Sequence, residues 1–208
     1  MKIAYEHLLE FFQGKPTESD ISEKLFQLGH ENTIENKIFD IEFTPNRGDC
    51  LSVYGLARDL NIFYPMDLNL KTMQEPIKPL NLNFVNNAVD DCPKISFLKI
   101  KIEGEIEPYK PYLNSFFEEF DIKKNNFFTD ISNYVAYEVG QPTHCYDFTK
   151  IGKLIEFKNI NTKKEFHTLL DKKINLSGNN CVFMSDGNII NLAGVMGGMS
   201  TSCSNKTD

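Results

Sequence analysis

Apolar residues recur three and four positions apart in three stretches near the start of the chain. The stretches are YEHLLEFF (5–12), TESDISEKLFQLG (17–29) and LSVYGLARDLNIFY (51–64). This spacing places the apolar side chains on one face of a helix. In the second stretch, Thr17, Ser19 or Asp20 can supply the N-cap, and Gly29 can end the helix. We therefore predict a helix in each stretch.

Alternation of apolar and polar residues predicts strands elsewhere. In KIFDIEF (37–43), Phe39, Ile41 and Phe43 share one face, while Asp40 and Glu42 take the other. This period of two is typical of a half-buried strand. Two further stretches have the composition of strands, ISFLKIKIEG (95–104) and KLIEFKNI (153–160).

Proline and glycine mark two further elements. PYLNSFFEEF (111–120) begins at Pro111, and proline is favoured in the first turn of a helix. In CVFMSDGNIINLAG (181–194), two β-rich runs flank Asp186 and Gly187. That dipeptide readily adopts the positive φ angles of a tight hairpin turn. We predict a helix at the first site and a hairpin at the second.

The domain organisation follows from a stretch in which the periodicity is lost. Residues 65–89 are rich in proline and asparagine, and no period survives for more than a few residues. We predict a linker there. The fold class is then α+β, with a small N-terminal α/β unit at residues 1–64 and a mixed, strand-rich domain at residues 90–208.

Composition excludes several classes of protein. The net charge of −7 argues against a general binder of phosphate backbones, so any RNA contact must be local or shared with a partner. The five cysteines are scattered and form no C-x-x-C pair, which argues against a disulfide framework and a zinc site. No secretory leader and no apolar run of about 18 residues is found. We expect a cytoplasmic protein that is not inserted in a membrane.

Four motifs resemble those of the β subunit of bacterial phenylalanyl-tRNA synthetase, and they occur in that family's order. They are FDIEFTPNRGDCLSVYGLARDL, DISNYVAYEVGQPTHCYDF, HTLLDKKINL and NIINLAGVMGG. The resemblance implies that the second domain is the front of an editing module, which hydrolyses tRNA(Phe) wrongly charged with tyrosine. It also implies an α2β2 assembly with the aminoacylation site in the α subunit. The implied partners are tRNA(Phe) and the α subunit. No cofactor is expected in this chain, whereas the full synthetase uses ATP and magnesium.

The chain departs from the family's pattern in three ways. The tRNA-binding insert of the first domain is absent, because LGHENTIENKIFDIEF joins the two halves directly. The chain ends at Asp208, before a glutamate that the resemblance implies senses the tyrosine hydroxyl. Finally, DIKKNNFFTD replaces a segment where the family favours Gly, Arg and Pro. We expect no aminoacylation by this chain alone, weak tRNA binding that fades with salt, and slow editing.

A second hydrolytic site has a physical reason. A pocket shaped for an apolar side chain rejects an analogue with one added hydroxyl by only roughly 10²-fold, where about 10⁴ or more is needed. Tyrosine competes with phenylalanine in this way. Hydrolysis of the mischarged product supplies the missing discrimination.

The resemblance assigns a catalytic role to His144, which lies two residues after Pro142 in a turn. It assigns substrate binding to Ser132, Asn133, Gly140, Gln141, Pro142, Ala193, Gly194 and Gly197. Most of these residues also have a purely structural interpretation. Ser132 and Asn133 could cap a helix, the Gly-Gln-Pro turn could end it, and AGVMGG could mark close backbone packing. If the site exists, His144, Ser132 and Asn133 should converge with the AGVMGG backbone.

Rival assignments are weaker. Cys145 as a nucleophile with His144 as its base is geometrically poor, because adjacent residues of an extended segment point to opposite sides. The other three histidines and the two arginines, His7, His30, His167, Arg47 and Arg58, are expected to be structural or surface residues. No metal site is expected. The alternative function is a non-catalytic remnant or assembly domain of the synthetase.

Overall fold

A computed structural model describes residues 1–69 and 76–207. The strands are β1 (Lys2–Ala4), β2 (Glu31–Glu35), β3 (Ile38–Glu42), β4 (Asn83–Asn86), β5 (Leu154–Asn161), β6 (Lys164–His167), β7 (Lys173–Leu176), β8 (Asn179–Ser185), β9 (Asn188–Leu192) and β10 (Met196–Gly197). The helices are α1 (Tyr5–Leu9), α2 (Glu18–Gln27), α3 (Val53–Leu60), α4 (Pro111–Glu119) and α5 (Phe127–Val139). The predicted α+β class is confirmed. None of the described helices is long and apolar enough to cross a membrane.

Packing groups the described residues into two units. The first lies within Met1–Gln74 and Glu107–Thr143, and the second within Glu75–Ile106 and His144–Asp208. This grouping differs from the predicted boundaries at residues 64 and 89, because α4 and α5 join the first unit. Sequence patterns show that a helix has an apolar face but not which element that face will cover.

The first unit is built on an antiparallel sheet in the order β1-β3-β2. Its core is formed by one face of that sheet and the apolar faces of α1, α2 and α3. It contains Ile3, Leu8, Ile21, Leu25, Phe39, Ile41, Leu56 and Leu60. Thr17, one of the three predicted N-cap candidates, begins α2 in a capping box with Asp20. A second cluster joins α4 to α5 through Leu113, Phe116, Phe117 and Tyr134.

The second unit contains a five-stranded sheet in the order β10-β9-β8-β5-β4. Only β4 pairs in parallel with its neighbour, while the remaining pairs are antiparallel. The predicted hairpin is confirmed, since Asp186 and Gly187 join β8 to β9 with φ angles of 43° and 83°. Strands β6 and β7 form a separate two-stranded hairpin.

The strand prediction for residues 95–104 is wrong. No strand is assigned there, although Phe97 packs edge-on against Phe84 and Phe183. Leu98 and Ile100 are 63% and 53% exposed. Apolar alternation shows which side chains can face a core, whereas a strand also needs a neighbour that exchanges backbone hydrogen bonds.

The linker prediction for residues 65–89 is wrong where β4 lies within it. This edge strand pairs with β5 on one side, and its short NFVN sequence has polar residues at both ends. So short an element leaves no measurable period. Residues 70–75 of the predicted linker lie outside the described residues. Strands β1 and β2 were not predicted either.

Candidate functional site

The turn that precedes His144 belongs to the first unit and begins where α5 ends. Gly140 is the C-cap of α5, with a left-handed φ of 74° and its N–H bonded to the Ala136 carbonyl. The helix-stop interpretation of Gly140 is therefore confirmed. Gln141 and Pro142 follow on the surface, and the Gln141 side chain donates to the Pro142 carbonyl at 3.3 Å.

Ser132 bonds to the end of this turn. Its hydroxyl donates to the Thr143 carbonyl oxygen at 2.8 Å and lies 2.8 Å from the Thr143 hydroxyl. The capping interpretation of Ser132 and Asn133 is wrong, because Asn126 caps α5 by accepting from the Thr129 N–H. Asn133 is exposed on the helix. Ser132 therefore joins the middle of α5 to the turn.

His144 lies in the second unit, where its imidazole ring packs on a glycine. A Cβ atom built on Gly197 would lie 2.2 Å from His144 Cε1 and 2.7 Å from Nε2. Only a residue without a side chain leaves room for the ring in this position. The ring also meets Tyr146 edge-on, with 4.5 Å between the centroids. His144 and Gly197, distant in sequence, are thus in contact.

The imidazole is open to solvent on part of its surface, yet protein atoms surround much of it. The resulting desolvation lowers the pKa of His144 below its usual value of 6.5. The neutral form of the ring is therefore favoured at pH 7. A neutral, partly exposed imidazole can accept a proton or a hydrogen bond.

In the second half of the AGVMGG segment (193–198), the backbone packs closely against neighbouring residues. Gly197 accepts from the Leu169 N–H at 3.0 Å, and Gly198 donates to the Ile190 carbonyl at 2.8 Å. Gly194 differs, because a Cβ there would meet nothing within 4 Å, although its φ of 70° favours glycine. Close packing thus explains the glycines after Met196, while Gly194 faces open space beside Ala193.

Two residues that sequence reasoning missed support His144. Tyr146 bonds through its hydroxyl to the buried side chain of Asn191, and burial raises the pKa of that tyrosine. Asn191 lies opposite Gly197 in the ladder of β9 and β10. The sequence did contain one indication that Tyr146 lies beside His144. The two residues are two positions apart in the THCYDF segment, so in an extended chain they share a face.

The neighbouring Asp147 is bonded at both carboxylate oxygens. It accepts from the Thr149 N–H and hydroxyl and from the Thr207 hydroxyl, which holds the pKa of Asp147 below its usual range. Its own N–H donates to the Thr201 carbonyl at 2.9 Å. These bonds fix the chain directly after the His144 segment.

A second cluster of polar groups lies in the first unit. Atoms of His30, Cys50 and Asp59 that could bind a metal lie within 4.8 Å of one another. However, the Arg47 guanidinium donates to Asp59 at 2.6 Å and to the Cys50 sulfur at 2.8 Å. Burial raises the pKa of Cys50 to about 12, so the thiol stays protonated. The guanidinium thus bonds to two of the three groups that a metal ion would need here, Cys50 and Asp59.

The remaining candidates divide between the units. Ser132, Asn133, Gly140, Gln141 and Pro142 lie in the first unit, whereas His144, Ala193, Gly194 and Gly197 lie in the second. Within the second unit, the predicted approach of His144 to the AGVMGG backbone is found at Gly197. Convergence of the two sets of residues stays a prediction.

Comparison with known proteins gives a consistent result. Residues 91–208 match the family model of the B3/4 domain. The phenylalanine–tRNA ligase beta subunit of Psychrobacter arcticus is 31% identical over 96% of this chain and 25% of its own length. The corresponding subunits of Acinetobacter baylyi and Rickettsia typhi are 27% and 31% identical over 96% and 84% of this chain.

The chain spans about a quarter of the length of these curated relatives. Among solved structures, it is similar to an N-terminal fragment of the phenylalanyl-tRNA synthetase β subunit from Pyrococcus horikoshii. That comparison has 13% identity and a TM-score of 0.49, and it covers 100% of this chain and 65% of the other.

Proposed function

Because this chain belongs to the family of B3/4 domains, we propose that it is part of a phenylalanyl-tRNA synthetase β subunit and contributes to editing. The proposed reaction is hydrolysis of the ester bond in tyrosine-charged tRNA(Phe). The names of the relatives support the choice of synthetase. The observation that carries the proposal is the packing of the His144 ring on the bare backbone of Gly197. The lowered pKa of His144, caused by desolvation, agrees with it.

The proposed chemistry requires a neutral histidine. An ester is cleaved when water attacks its carbonyl carbon, and a base that accepts a proton from that water accelerates the attack. His144 would accept either this proton or a hydrogen bond from a hydroxyl of the terminal ribose. Both roles fail when the ring is protonated, because imidazolium has no free acceptor.

The proposed substrate-binding residues have matching properties. Around Ala193 and Gly194 a ligand could approach the main chain, because Gly194 faces open space. Ser132, Asn133, Gly140, Gln141 and Pro142 would contribute from the segment before His144. The proposed partners are tRNA(Phe) and the synthetase α subunit, which would supply ATP-dependent aminoacylation with magnesium.

The test is the rate at which this chain deacylates tyrosine-charged tRNA(Phe). We expect slow hydrolysis that His144→Ala lowers by about a hundredfold or more, the usual contribution of a general base. His167→Ala is the matched control, since His167 is an exposed histidine of the same unit, bonded to Asp171. Its rate should equal that of the parent. Equal rates for the parent and His144→Ala would remove His144 from the mechanism.

A further inference from the structure

The negative charge of the chain is concentrated in the first unit. Of the 29 acidic and 22 basic side chains, 18 and 10 lie in the first unit, which leaves 11 and 12 in the second. The second unit is therefore close to neutral, although the whole chain has a net charge of −7. A surface of this unit that gathers its lysines can attract phosphates.

Four of these lysines lie on the hairpin of β6 and β7. Lys163 and Lys164 are at its open end, and Lys172 and Lys173 are at its turn. Lys173 forms an ion pair with Glu165 at 3.0 Å. The other three are exposed, and none of them is paired with a carboxylate among the residues that the structure describes. We call Lys163, Lys164 and Lys172 the lysine surface.

The hairpin is fixed to the body of the second unit by its apolar residues. Phe166 and Leu176 are 3% and 5% exposed. A Cβ at Gly198 would lie 3.1 Å from Cε2 of Phe166. The hairpin therefore packs on the AGVMGG backbone, and a buried contact sets its position relative to that segment.

The turn of the hairpin lies beside the candidate site. Thr168 forms an antiparallel bridge with Gly198, and the Leu169 N–H donates to the Gly197 carbonyl at 3.0 Å. A Cβ at Gly197 would lie 2.7 Å from Cδ1 of Leu169, and the same Cβ would meet the His144 ring. Leu169 and His144 thus pack against the same bare backbone.

Lys172 is held next to this contact. The Thr168 N–H donates to the Lys172 carbonyl at 2.9 Å, and the Lys172 N–H donates to the Thr168 hydroxyl at 3.2 Å. Lys164 begins β6, and this strand spans about 10 Å, because each residue advances an extended chain by about 3.4 Å. The lysine surface therefore begins beside the site and extends away from it.

We propose that the lysine surface binds the single-stranded 3′ end of the tRNA. The ester to be cleaved lies on the terminal ribose, so a tRNA whose ester reaches His144 leads its phosphates away from that ring. Lys172 contacts the phosphates nearest the ester, and Lys163 and Lys164 contact those farther along the strand. This inference rests on the proposed function, which supplies the RNA and its direction.

Binding of uncharged tRNA(Phe) tests the lysine surface without any reaction. The test variant combines Lys163→Ala, Lys164→Ala and Lys172→Ala. We expect its binding constant at about 50 mM salt to be at least about tenfold lower than that of the parent, because three phosphate contacts are lost. A plot of the logarithm of the binding constant against the logarithm of the salt concentration should become shallower by about 2.1 to 2.7. Arginine at the same three positions keeps the charge and should leave both quantities close to those of the parent.

A control variant carries the same change of charge at the far edge of the sheet. Strands β4 and β5 form the edge opposite β10, and β5 lies three strands from β10, about 14 Å across the sheet. Lys153 and Lys158 lie directly before and within β5, and Lys94 follows β4. Alanine at these three positions should leave the slope unchanged. Equal losses in the two triple variants, or no binding by the parent at low salt, would overturn the inference.

The kinetics of deacylation separate this inference from the proposed function. With tyrosine-charged tRNA(Phe), loss of the lysine surface should raise KM by about tenfold or more and change kcat by less than about twofold, because these contacts are the same in the ground state and the transition state. A parent that hydrolyses, with KM unchanged in the test variant, would overturn the inference and leave the proposed function standing. A parent that binds tRNA through these lysines but hydrolyses nothing would contradict the proposed function and leave the lysine surface in place.

Discussion

At the residue scale, the contact between His144 and Gly197 defines the candidate site. The glycine provides space and the histidine provides an acceptor, so neither residue explains the site without the other. The resemblance to a family named both residues, but the sequence offered no physical reason to pair them. Their contact depends on the register of β10 with β9, which no local pattern encodes.

The titration of His144 leads to the first prediction. Desolvation lowers the pKa of this ring, and only the neutral ring can accept a proton. The deacylation rate should therefore rise with pH through a midpoint below 6.5 and stay level above it. Rates of kcat/KM between about pH 4.5 and 8 would measure this midpoint. A midpoint above 6.5 would contradict the role given to the neutral ring.

The second prediction concerns the glycine. Gly197→Ala places a methyl group where Cε1 of His144 and Cδ1 of Leu169 now lie, so the ring must move. Overpacking of this kind costs about 1–3 kcal/mol in the free energy of unfolding, and editing should fall with it. Gly14→Ala is the control, because a Cβ at Gly14 meets nothing within 4 Å. Denaturant unfolding and deacylation rates would measure both variants.

At the element scale, a helix, strand or turn can be predicted when neighbouring residues in the sequence are what cause it to form. The start of α2 near Thr17, Pro111 at the start of α4 and the Asp186–Gly187 turn were predicted because each follows from neighbouring residues. Strand β4 and the unpaired segment at residues 95–104 were not, because a strand is made by a partner distant in sequence.

The β8–β9 turn gives the third prediction. Gly187 has a φ of 83° and no atom within 4 Å of a built Cβ, so only backbone strain opposes a side chain there. Gly187→Ala should lower the free energy of unfolding by about 1–2 kcal/mol. Gly187→Asn should cost less, since asparagine tolerates the left-handed region better. Thermal or urea unfolding of the two variants would test this order.

A side chain of the same turn also bonds to β5. The Asp186 carboxylate accepts from the N–H groups of Lys153 and Leu154, and a Cβ at Gly152 would lie 2.0 Å from it. Asp186 thus lies in the turn of the hairpin and also accepts hydrogen bonds at the start of the neighbouring strand.

At the scale of the whole molecule, charge limits the proposed contact with tRNA. With a net charge of −7, few cationic side chains are available to displace the counterions of the tRNA phosphates. We expect tRNA binding to weaken as the salt concentration rises. A plot of the logarithm of the binding constant against the logarithm of the salt concentration should have a shallow slope, about −0.7 to −0.9 for each phosphate contact. Titrations between about 50 and 200 mM salt would measure the slope. Tight binding that persists at high salt would contradict this prediction.

Aminoacylation is a second property at this scale. The proposed synthetase carries that site in its α subunit, so this chain with ATP and tRNA(Phe) should form no phenylalanyl-tRNA. Detectable product without an α subunit would contradict the proposal. The deacylation assay of the parent chain, run in parallel, shows whether the same preparation is active in editing.

The Arg47 guanidinium, bonded to Asp59 and to the Cys50 sulfur, should leave the first unit insensitive to chelators and sensitive to strong acid. A charge covalently attached to the chain cannot be removed by EDTA, so the melting temperature should not change when EDTA is added. The pKa of Asp49 is lowered to about 2, and that of Asp59 is also lowered. Their contribution to stability is complete above the unfolded value of about 3.9 and is lost as the pH falls through the folded values. The ion pairs that Arg47 and Arg58 make with Asp49 and Asp59 should therefore break only in strong acid.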